Sequence, residues 1–330
     1  MKRSSTHSMV ERVVVVGVDG GASKTRAVVL TGDGVVLATS VVRSASAYHR
    51  EPEEAAGVVL DATREALAHA GVPPPVAVLG AGLAGADDAS IHDRLQKALT
   101  AAHVARRVTI DHDAAAALAG GAALAPGAVI ISGTGSVAFG VDASGRRVRA
   151  GGWGPLLDDE GSGYAVGRAV LRAAMRAHDG RGEATSLADA VRRRFGLDTL
   201  RALKIAVRGI GIDDIAAVAP LAVAAVREGD VVAAGILRRA GEGLAAMVWA
   251  VARALGWQTA PFSLVTAGGM FDAGAALRVP MLTALETLGC PAAVAVSIFP
   301  PEIGAALLGA RAAGLPTATL IARLPRAGVR

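Results

Sequence analysis

The sequence predicts an α/β fold in which two similar domains follow one another along the chain. The length of 330 residues is above the usual range of a single domain. Apolar residues make up 52% of the chain and charged residues 19%, with 41 glycines, which is typical of helices packed on sheets. A buried strand that ends in a glycine-rich turn occurs twice, at residues 13–25 and again at 129–136. The chain therefore looks internally duplicated.

The first half predicts three antiparallel strands and then an alternation of helices and strands. Short apolar runs separated by glycine turns predict the strands, at 12–18, 26–30 and 35–43. Apolar residues at helical spacing, acidic residues after Pro52 and a stop at Gly71 predict a helix at 51–70. The rest of this unit is a strand at 76–79, a helix at 90–103 and a strand at 107–110.

The second half repeats that order with longer insertions. Strands are predicted at 128–132, 136–141, 148–150, 263–266 and 293–298. Helices are predicted at 165–177, 186–195, 213–227, 231–255 and 302–313. The apolar stretch between Glu242 and Arg253 is about ten residues long, below the roughly 20 that a membrane helix needs. We therefore expect no membrane partner.

Charge and cysteine content limit the class of function. The formal charge is +5, but the basic residues are scattered and aromatic residues make up only 3%, which argues against a nucleic-acid groove. The single cysteine, Cys290, excludes an intramolecular disulfide, a four-cysteine zinc site and a self-contained iron–sulfur site. We expect a cytoplasmic protein with a flexible tail at residues 1–10.

Two glycine motifs resemble nucleotide-binding loops but lack essential parts. Residues 17–25 resemble a P-loop, yet Ser23 stands where the glycine before Lys24 is required, and the next segment is predicted as a strand rather than a helix. Residues 80–85 spell GxGxxG, but Asp87 and Asp88 follow at the start of a helix, where they would repel a pyrophosphate. A tight turn that lets the backbone approach a ligand is the better interpretation of residues 80–85.

Two aspartates at strand ends are candidates for catalysis. Asp19 follows a run of valines, where a carboxylate is costly to bury unless it serves a cation, so it predicts a magnesium site reached through water. A turn-capping role is its alternative. Asp113 follows a predicted strand and precedes an alanine-rich helix, so it is either a helix N-cap or a catalytic base. Asp111 competes with it. Lys24 either contacts phosphate or is a solvated edge residue.

Residues 151–163 combine Trp153, bare glycine backbone and several carboxylates. A sugar site needs an apolar surface and acceptors for neighbouring hydroxyls, and this segment supplies both. The alternative is a structural loop that buries its tryptophan.

In this order the motifs resemble the N-acetylglucosamine kinase branch of the BadF/BadG/BcrA/BcrD-type ATPase family, in the sugar kinase/actin/Hsp70 superfamily. The segments that carry the resemblance are 17–25, 82–85, 113–115, 131–136, 151–154, 159–162 and 267–269. The resemblance implies two RNase H-like (actin-like ATPase) domains with mixed five-stranded sheets, and ATP and sugar in an interdomain cleft. We expect the domains at 11–115, with a C-terminal helix at about 302–322 packing back on it, and at 116–301, with a helical insertion at about 165–260.

The resemblance also implies the reaction and its residues. It implies ATP-dependent phosphorylation of the 6-hydroxyl of an amino sugar, N-acetylglucosamine or glucosamine, with Asp113 as general base and Asp19 on the Mg²⁺ side. The implied contacts to ATP are Gly20, Gly21, Ser23, Lys24, Gly133, Thr134, Gly135, Ser136, Gly268 and Gly269. The implied contacts to the sugar are Ser46, Asp113, Gly152, Trp153, Gly154 and Asp159. Ser46 stands where the family usually has an asparagine. Family members are often homodimers, so a homodimer is expected.

Two other functions occur among relatives of this superfamily. An ATPase that energises a partner redox enzyme would share an iron–sulfur cluster through cysteine pairs, which Cys290 alone cannot supply. A sugar-sensing repressor would need a helix-turn-helix ahead of the first strand, and residues 1–11 leave no room for it. The kinase is therefore the first hypothesis.

Overall fold

The computed structural model describes residues 13–47 and 50–326, and the predicted tail at 1–10 lies outside them. The chain divides into two compact units, unit 1 (Met1–Leu124 and Ile298–Arg330) and unit 2 (Ala125–Ser297). Each unit contains one five-stranded mixed sheet. The predicted α/β class with two such sheets is confirmed.

The elements alternate as the hydrophobic pattern predicts. The strands are β1 (Val14–Gly20), β2 (Lys24–Thr31), β3 (Val36–Arg43), β4 (Val76–Leu83), β5 (Ala105–His112), β6 (Gly127–Ser132), β7 (Ser136–Val141), β8 (Arg147–Gly151), β9 (Phe262–Ala267) and β10 (Ala292–Ala295). The helices are α1 (Pro52–Ala70), α2 (Ala89–Ala101), α3 (Asp113–Gly121), α4 (Gly163–His178), α5 (Leu187–Arg194), α6 (Leu203–Ala206), α7 (Ile212–Ala216), α8 (Pro220–Arg227), α9 (Val231–Leu255), α10 (Ala275–Thr287), α11 (Pro301–Ala312) and α12 (Thr317–Arg323).

The sheet of unit 1 has the order β3-β2-β1-β4-β5. The first three strands are antiparallel, because tight turns join them, whereas β4 and β5 run parallel to β1 after helical crossovers. One face of this sheet packs on α1 and α2, and the other packs on α11. Buried valines therefore occupy both faces of β1, in keeping with a central strand.

Glycines allow α11 to lie directly on the sheet of unit 1. A Cβ on Gly17 would lie 2.0 Å from the carbonyl oxygen of Glu302, and one on Gly80 would lie 2.1 Å from that of Ala305. On the opposite side of α11, a Cβ on Gly304 would lie 1.9 Å from the carbonyl oxygen of Ala116 in α3. The starts of α3 and α11 are thereby held against the carboxyl ends of the strands.

Unit 2 repeats the topology of unit 1. Its sheet has the order β10-β9-β6-β7-β8, with β6, β7 and β8 antiparallel and β9 and β10 parallel to β6. The helical insertion and α10 build a separate core in which Leu237, Leu244 and Val248 of α9 are fully buried. The duplication predicted from the two glycine turns is confirmed at the level of strand order.

Several boundaries differ from the prediction. The segment predicted as a tight turn at 80–85 is wrong in its first half, because Gly80 and Gly82 belong to β4 and make room for helices rather than for a ligand. The predicted helix at 213–227 is two helices, α7 and α8. The predicted helix at about 302–322 is interrupted, because Gly314 adopts a φ of 74° and Pro316 follows it.

Among the residues that the structure describes, no helix is long and apolar enough to cross a membrane.

Candidate active site

Asp19 lies where β1 ends in unit 1. It pairs in register with Arg26 of β2 and with Gly82 of β4, and its side chain is partly exposed. The turn that follows is closed by a hydrogen bond from the N–H of Gly21 to the carbonyl of Lys24, 3.2 Å long. The side chains of Ser23 and Lys24 are exposed. The exclusion of a P-loop is confirmed, because Lys24 begins a strand.

Asp113 is the first residue of α3, immediately after β5. The N-cap is His112, whose Nδ1 accepts a hydrogen bond from the N–H of Ala115 at 3.2 Å, so the N-cap alternative for Asp113 is wrong. One carboxylate oxygen of Asp113 accepts from the N–H of Ala114 at 2.8 Å. A Cβ on Gly82 would lie 3.6 Å from the Cα of Asp113. Asp113 therefore lies next to Gly82, which is the residue of β4 that pairs with Asp19.

A third carboxylate, that of Glu302, belongs to the same group. Burial, and then the nearby charges of Asp113 and Glu302, raise the pKa of Asp19 from its ordinary 3.8 to about 8. Burial also raises the pKa of Asp113, although its hydrogen bond from Ala114 opposes the shift. Oε2 of Glu302 is buried and has no hydrogen-bond partner among the described residues. Sequence reasoning missed Glu302; its one signal was an acidic residue in the first turn of a predicted helix.

These carboxylates are compatible with a divalent cation. A carboxylate whose pKa is raised by neighbouring carboxylates is stabilised in its charged form by a cation placed beside it, and an unpartnered buried carboxylate oxygen indicates the same need. Within the described parts of the chain, no group of three histidine, cysteine or acidic side chains could hold a metal ion by itself. Mg²⁺ commonly keeps several waters and binds one or two carboxylates together with substrate phosphates, so this arrangement fits it.

Ser46 lies in the segment after β3, near the first glycine turn. The hydroxyl of Ser44 donates to the carbonyl of Gly21 at 3.0 Å and also accepts from the N–H of Ser46 at 3.1 Å. Ala45 packs beside Gly20: a Cβ on Gly20 would lie 3.2 Å from the Cβ of Ala45. The side chain of Ser46 is fully buried, and its Oγ has no hydrogen-bond partner among the described residues. A buried hydroxyl without a partner is costly unless a ligand or water completes it.

The second glycine turn lies between β6 and β7 in unit 2, against the start of α4. The N–H groups of Gly163 and Tyr164, in the first turn of α4, donate to the carbonyls of Gly133 and Thr134 at 2.7 and 3.2 Å. The hydroxyl of Thr134 donates to the carboxylate of Asp213 in α7 at 3.1 Å. Sequence analysis did not identify Asp213 as part of this site.

Asp159 and Ser136 are linked in unit 2. Burial raises the pKa of Asp159, against the effect of a hydrogen bond from the N–H of Ser136 at 3.2 Å. Asp159 has a φ of 65°, which is unusual for a residue other than glycine and marks local strain. The hydroxyl of Ser136 donates to the carbonyl of Glu160 at 2.8 Å. Both donors of Ser136 are therefore used within unit 2.

The remaining predicted residues lie around the same sheet edge. Trp153 is 67% exposed, so the alternative of a buried structural tryptophan is wrong. The guanidinium of Arg149 lies 5.1 Å from the centre of its ring. A Cβ on Gly268 would lie 2.3 Å from the carbonyl oxygen of Ser132, which brings the turn after β9 against the end of β6. The φ angles of Gly152 and Gly154, 72° and 87°, favour glycine at both positions.

Each unit thus gathers its own part of the predicted set. Unit 1 places the Asp19 turn, Asp113 and Glu302 at the carboxyl ends of its strands, with Ser46 beside the turn. Unit 2 gathers the turn at 133–136, Asp159 and Gly268 at the end of β6.

Comparison with known proteins gives three findings. The model of the BadF/BadG/BcrA/BcrD ATPase family matches residues 16–309. The N-acetylmuramic acid/N-acetylglucosamine kinase of Clostridium acetobutylicum is 32% identical over 78% of this chain and 85% of its own, and the N-acetyl-D-glucosamine kinase of Dictyostelium discoideum is 29% identical over 89% and 97%. A crystal structure from Chromobacterium violaceum, provisionally named an N-acetylglucosamine kinase, superposes with a TM-score of 0.75 at 27% identity, over 90% of this chain and 98% of that one.

Proposed function

This chain belongs to the BadF/BadG/BcrA/BcrD ATPase family, and from that premise we propose that it phosphorylates the 6-hydroxyl of an amino sugar, N-acetylglucosamine or glucosamine, with ATP. The chain is an enzyme of the sugar kinase class that uses ATP, as its named relatives are. The observation that carries the finer proposal is the placement of Asp113 at the start of α3, beside Asp19.

Asp113 is the proposed general base. Burial raises its pKa, which strengthens the carboxylate as a proton acceptor, while the hydrogen bond from Ala114 keeps the carboxylate oriented. The base would take the proton of the 6-hydroxyl as that oxygen attacks the γ-phosphorus and ADP leaves. Asp111 is less suitable, because one of its oxygens lies 3.9 Å from the imidazole of His112.

The two glycine turns would hold the phosphates of ATP. Successive N–H groups without Cβ atoms form anion-binding concavities, and both turns end a central strand. The first turn of α4 holds the second glycine turn in place, because its N–H groups donate to the carbonyls of Gly133 and Thr134. The proposed contacts to ATP are Gly20, Gly21, Ser23, Lys24, Gly133, Thr134, Gly135, Gly268 and Gly269. Ser136 is the remaining proposed contact to ATP, and its N–H also holds the carboxylate of Asp159.

Mg²⁺ is the proposed cofactor with ATP. Asp19 would hold it through water, and the bound ion would neutralise charge on the phosphates. In the proposed complex with Mg²⁺ and ATP, the cation would balance the negative charge of Asp19.

The sugar site is proposed to use Ser46, Asp113, Gly152, Trp153, Gly154 and Asp159. The unpartnered hydroxyl of Ser46 offers a hydrogen bond, and the exposed ring of Trp153 offers an apolar surface. We also propose that the protein acts in the cytoplasm as a homodimer; sedimentation equilibrium of the purified chain tests the dimer.

The test of the reaction is ADP release from Mg-ATP with a panel of sugars. The panel contains N-acetylglucosamine, glucosamine, N-acetylmannosamine, N-acetylmuramic acid, glucose and no sugar. We expect turnover to depend on an amino sugar, and analysis of the product by NMR should place the phosphate on O6. Equal ADP release with and without every sugar would contradict the proposal. That result would support the alternative, an ATPase that energises a partner redox enzyme, against which the lone and buried Cys290 argues.

The test of the base is Asp113→Asn, with Asp111→Asn as its matched control. We expect Asp113→Asn to lower kcat by at least about 10²-fold, the lower range for loss of a general base, while ATP binding persists. Asp111→Asn should stay within about tenfold of the wild type. Near-normal turnover of Asp113→Asn, or an equal loss in the control, would contradict the assignment.

A further inference from the structure

A cavity of about 490 Å³ opens among the helices of unit 2, along one side of α4. Its volume is in the range of small-molecule pockets, about 300–1,000 Å³. The apolar part of its lining is formed by Leu171, Met175, Leu203, Val207, Ile210 and Ile215. Nothing in the proposed kinase reaction uses these residues.

The charged part of the lining has one sign. Arg172, Arg176, Arg181 and Lys204 line the cavity, and no aspartate or glutamate of the described chain does. Arg181 forms an ion pair with Asp179, outside the lining. Arg172 and Lys204 are exposed and have no ion pair with any residue in the described ranges. Cations without partners therefore border an apolar cavity.

The part of the cavity along α4 lies away from the phosphate turn of unit 2. Tyr164, whose N–H donates to Thr134, lies near the start of α4, whereas the cavity is lined by Leu171 to Arg176 on the same helix. At 1.5 Å per residue, this separation along the helix axis is about 10–18 Å. Ile215 of the lining is two residues from Asp213, which accepts from Thr134, so the cavity approaches the turn at α7 and extends away from it along α4.

We propose that this cavity binds an amphipathic organic anion, a small molecule with an aliphatic or aromatic body and one carboxylate, sulfate or phosphate head. The body would leave water for the wall formed by Leu171, Met175 and Val207, which is favourable in proportion to the apolar area buried. The head would pair with Arg172 and Lys204, and a guanidinium suits the two oxygens of a carboxylate. An uncharged apolar molecule would contact only the apolar part of the lining, and a small anion would pair only with the cationic part.

The test is calorimetric titration of the full chain with three probes. Octanoate has both the tail and the head, octanol has the tail alone, and acetate has the head alone. We expect one molecule of octanoate to bind per chain, at least about tenfold more tightly than either of the others. Octanol binding as tightly as octanoate would overturn the requirement for an anion. Acetate binding as tightly would overturn the requirement for an apolar body.

Variants locate the binding site. Arg172→Ala with Lys204→Ala removes two exposed charges and should weaken octanoate binding by about tenfold or more, whereas Arg168→Ala, an exposed control on α4, should not. Met175→Trp should fill the cavity and abolish octanoate binding. In the wild type, saturating ADP should leave octanoate binding unchanged. Unchanged binding in the double variant, or displacement of octanoate by ADP, would place the probe elsewhere and overturn the proposal.

Discussion

The raised pKa of Asp19 makes the stability of the chain depend on pH in a direction that can be measured. In the unfolded chain this carboxyl ionises near its ordinary pKa of 3.8, whereas in the fold its pKa is about 8. Between these values the folded state binds more protons than the unfolded state, so stability falls as pH rises. The contribution is complete below pH 3.8 and is lost by about pH 8. Asp19→Asn has no charge to bury and should escape this loss.

The size of the effect follows from the shift. One pKa unit corresponds to about 1.4 kcal/mol, so between pH 5 and pH 8 the wild type loses at most about 4 kcal/mol relative to the variant. Asp19 is partly exposed to water, which screens part of this penalty, and about 2 kcal/mol is the expected difference. For a unit of this size, that difference shifts Tm by about 4–8 °C.

The assay is thermal unfolding of both proteins in EDTA at pH 5, 6, 7 and 8. We expect the Tm of Asp19→Asn to exceed that of the wild type by an amount that grows with pH. Asp61→Asn, at an exposed position of α1, is the control and should give a difference that is independent of pH. A difference for Asp19→Asn that is constant or shrinks with pH would refute the reasoning, because no burial of charge would then be relieved.

Three further predictions concern packing and the sugar site. Gly17→Ala should lower stability by about 3 kcal/mol, because the new Cβ would lie 2.0 Å from a carbonyl oxygen of α11. Gly57→Ala should instead raise stability by about 1 kcal/mol, because Gly57 lies in α1 with open space around it. Thermal unfolding measures both changes. Ser46→Ala should leave stability equal or higher, since the hydroxyl has no partner, but raise KM for the sugar by about tenfold; lowered stability with unchanged KM would contradict a sugar contact. Asp159→Asn should raise KM for the sugar by about tenfold and leave KM for ATP within about twofold, as initial rates at varied substrate will test.

The parts of the fold that were predictable from sequence are those with local signals. Val14 to Gly20 form a strand because valines favour strands and the glycines after them favour a turn, and both features are read within a few residues. Asp19 and Asp113 were predicted as site residues for the same reason, since each follows the apolar residues of a predicted strand. Strand lengths were less predictable, because β4 continues through Gly80 and Gly82, residues that usually interrupt a strand.

The parts that were not predictable depend on tertiary contact. Gly80 and Gly82 are tolerated in β4 because helices of the same unit occupy the space of their missing side chains, and no local pattern encodes that. Thr134 and Asp213 are 79 residues apart along the chain, and Glu302 approaches Asp19 only because α11 lies on β1. Local sequence patterns carry no signal for such distant pairs.

β1 of unit 1 and β6 of unit 2 are corresponding strands, but they differ in the charge at their carboxyl ends. Asp19 ends the apolar run of β1 beside two further carboxylates, whereas Ser132 ends that of β6 and donates its hydroxyl to the carbonyl of Gly161 at 2.7 Å. A triphosphate would be repelled by the first arrangement without a cation and attracted by the N–H groups of the second. In the proposed reaction, proton and metal chemistry therefore belong to unit 1, while unit 2 supplies neutral donors.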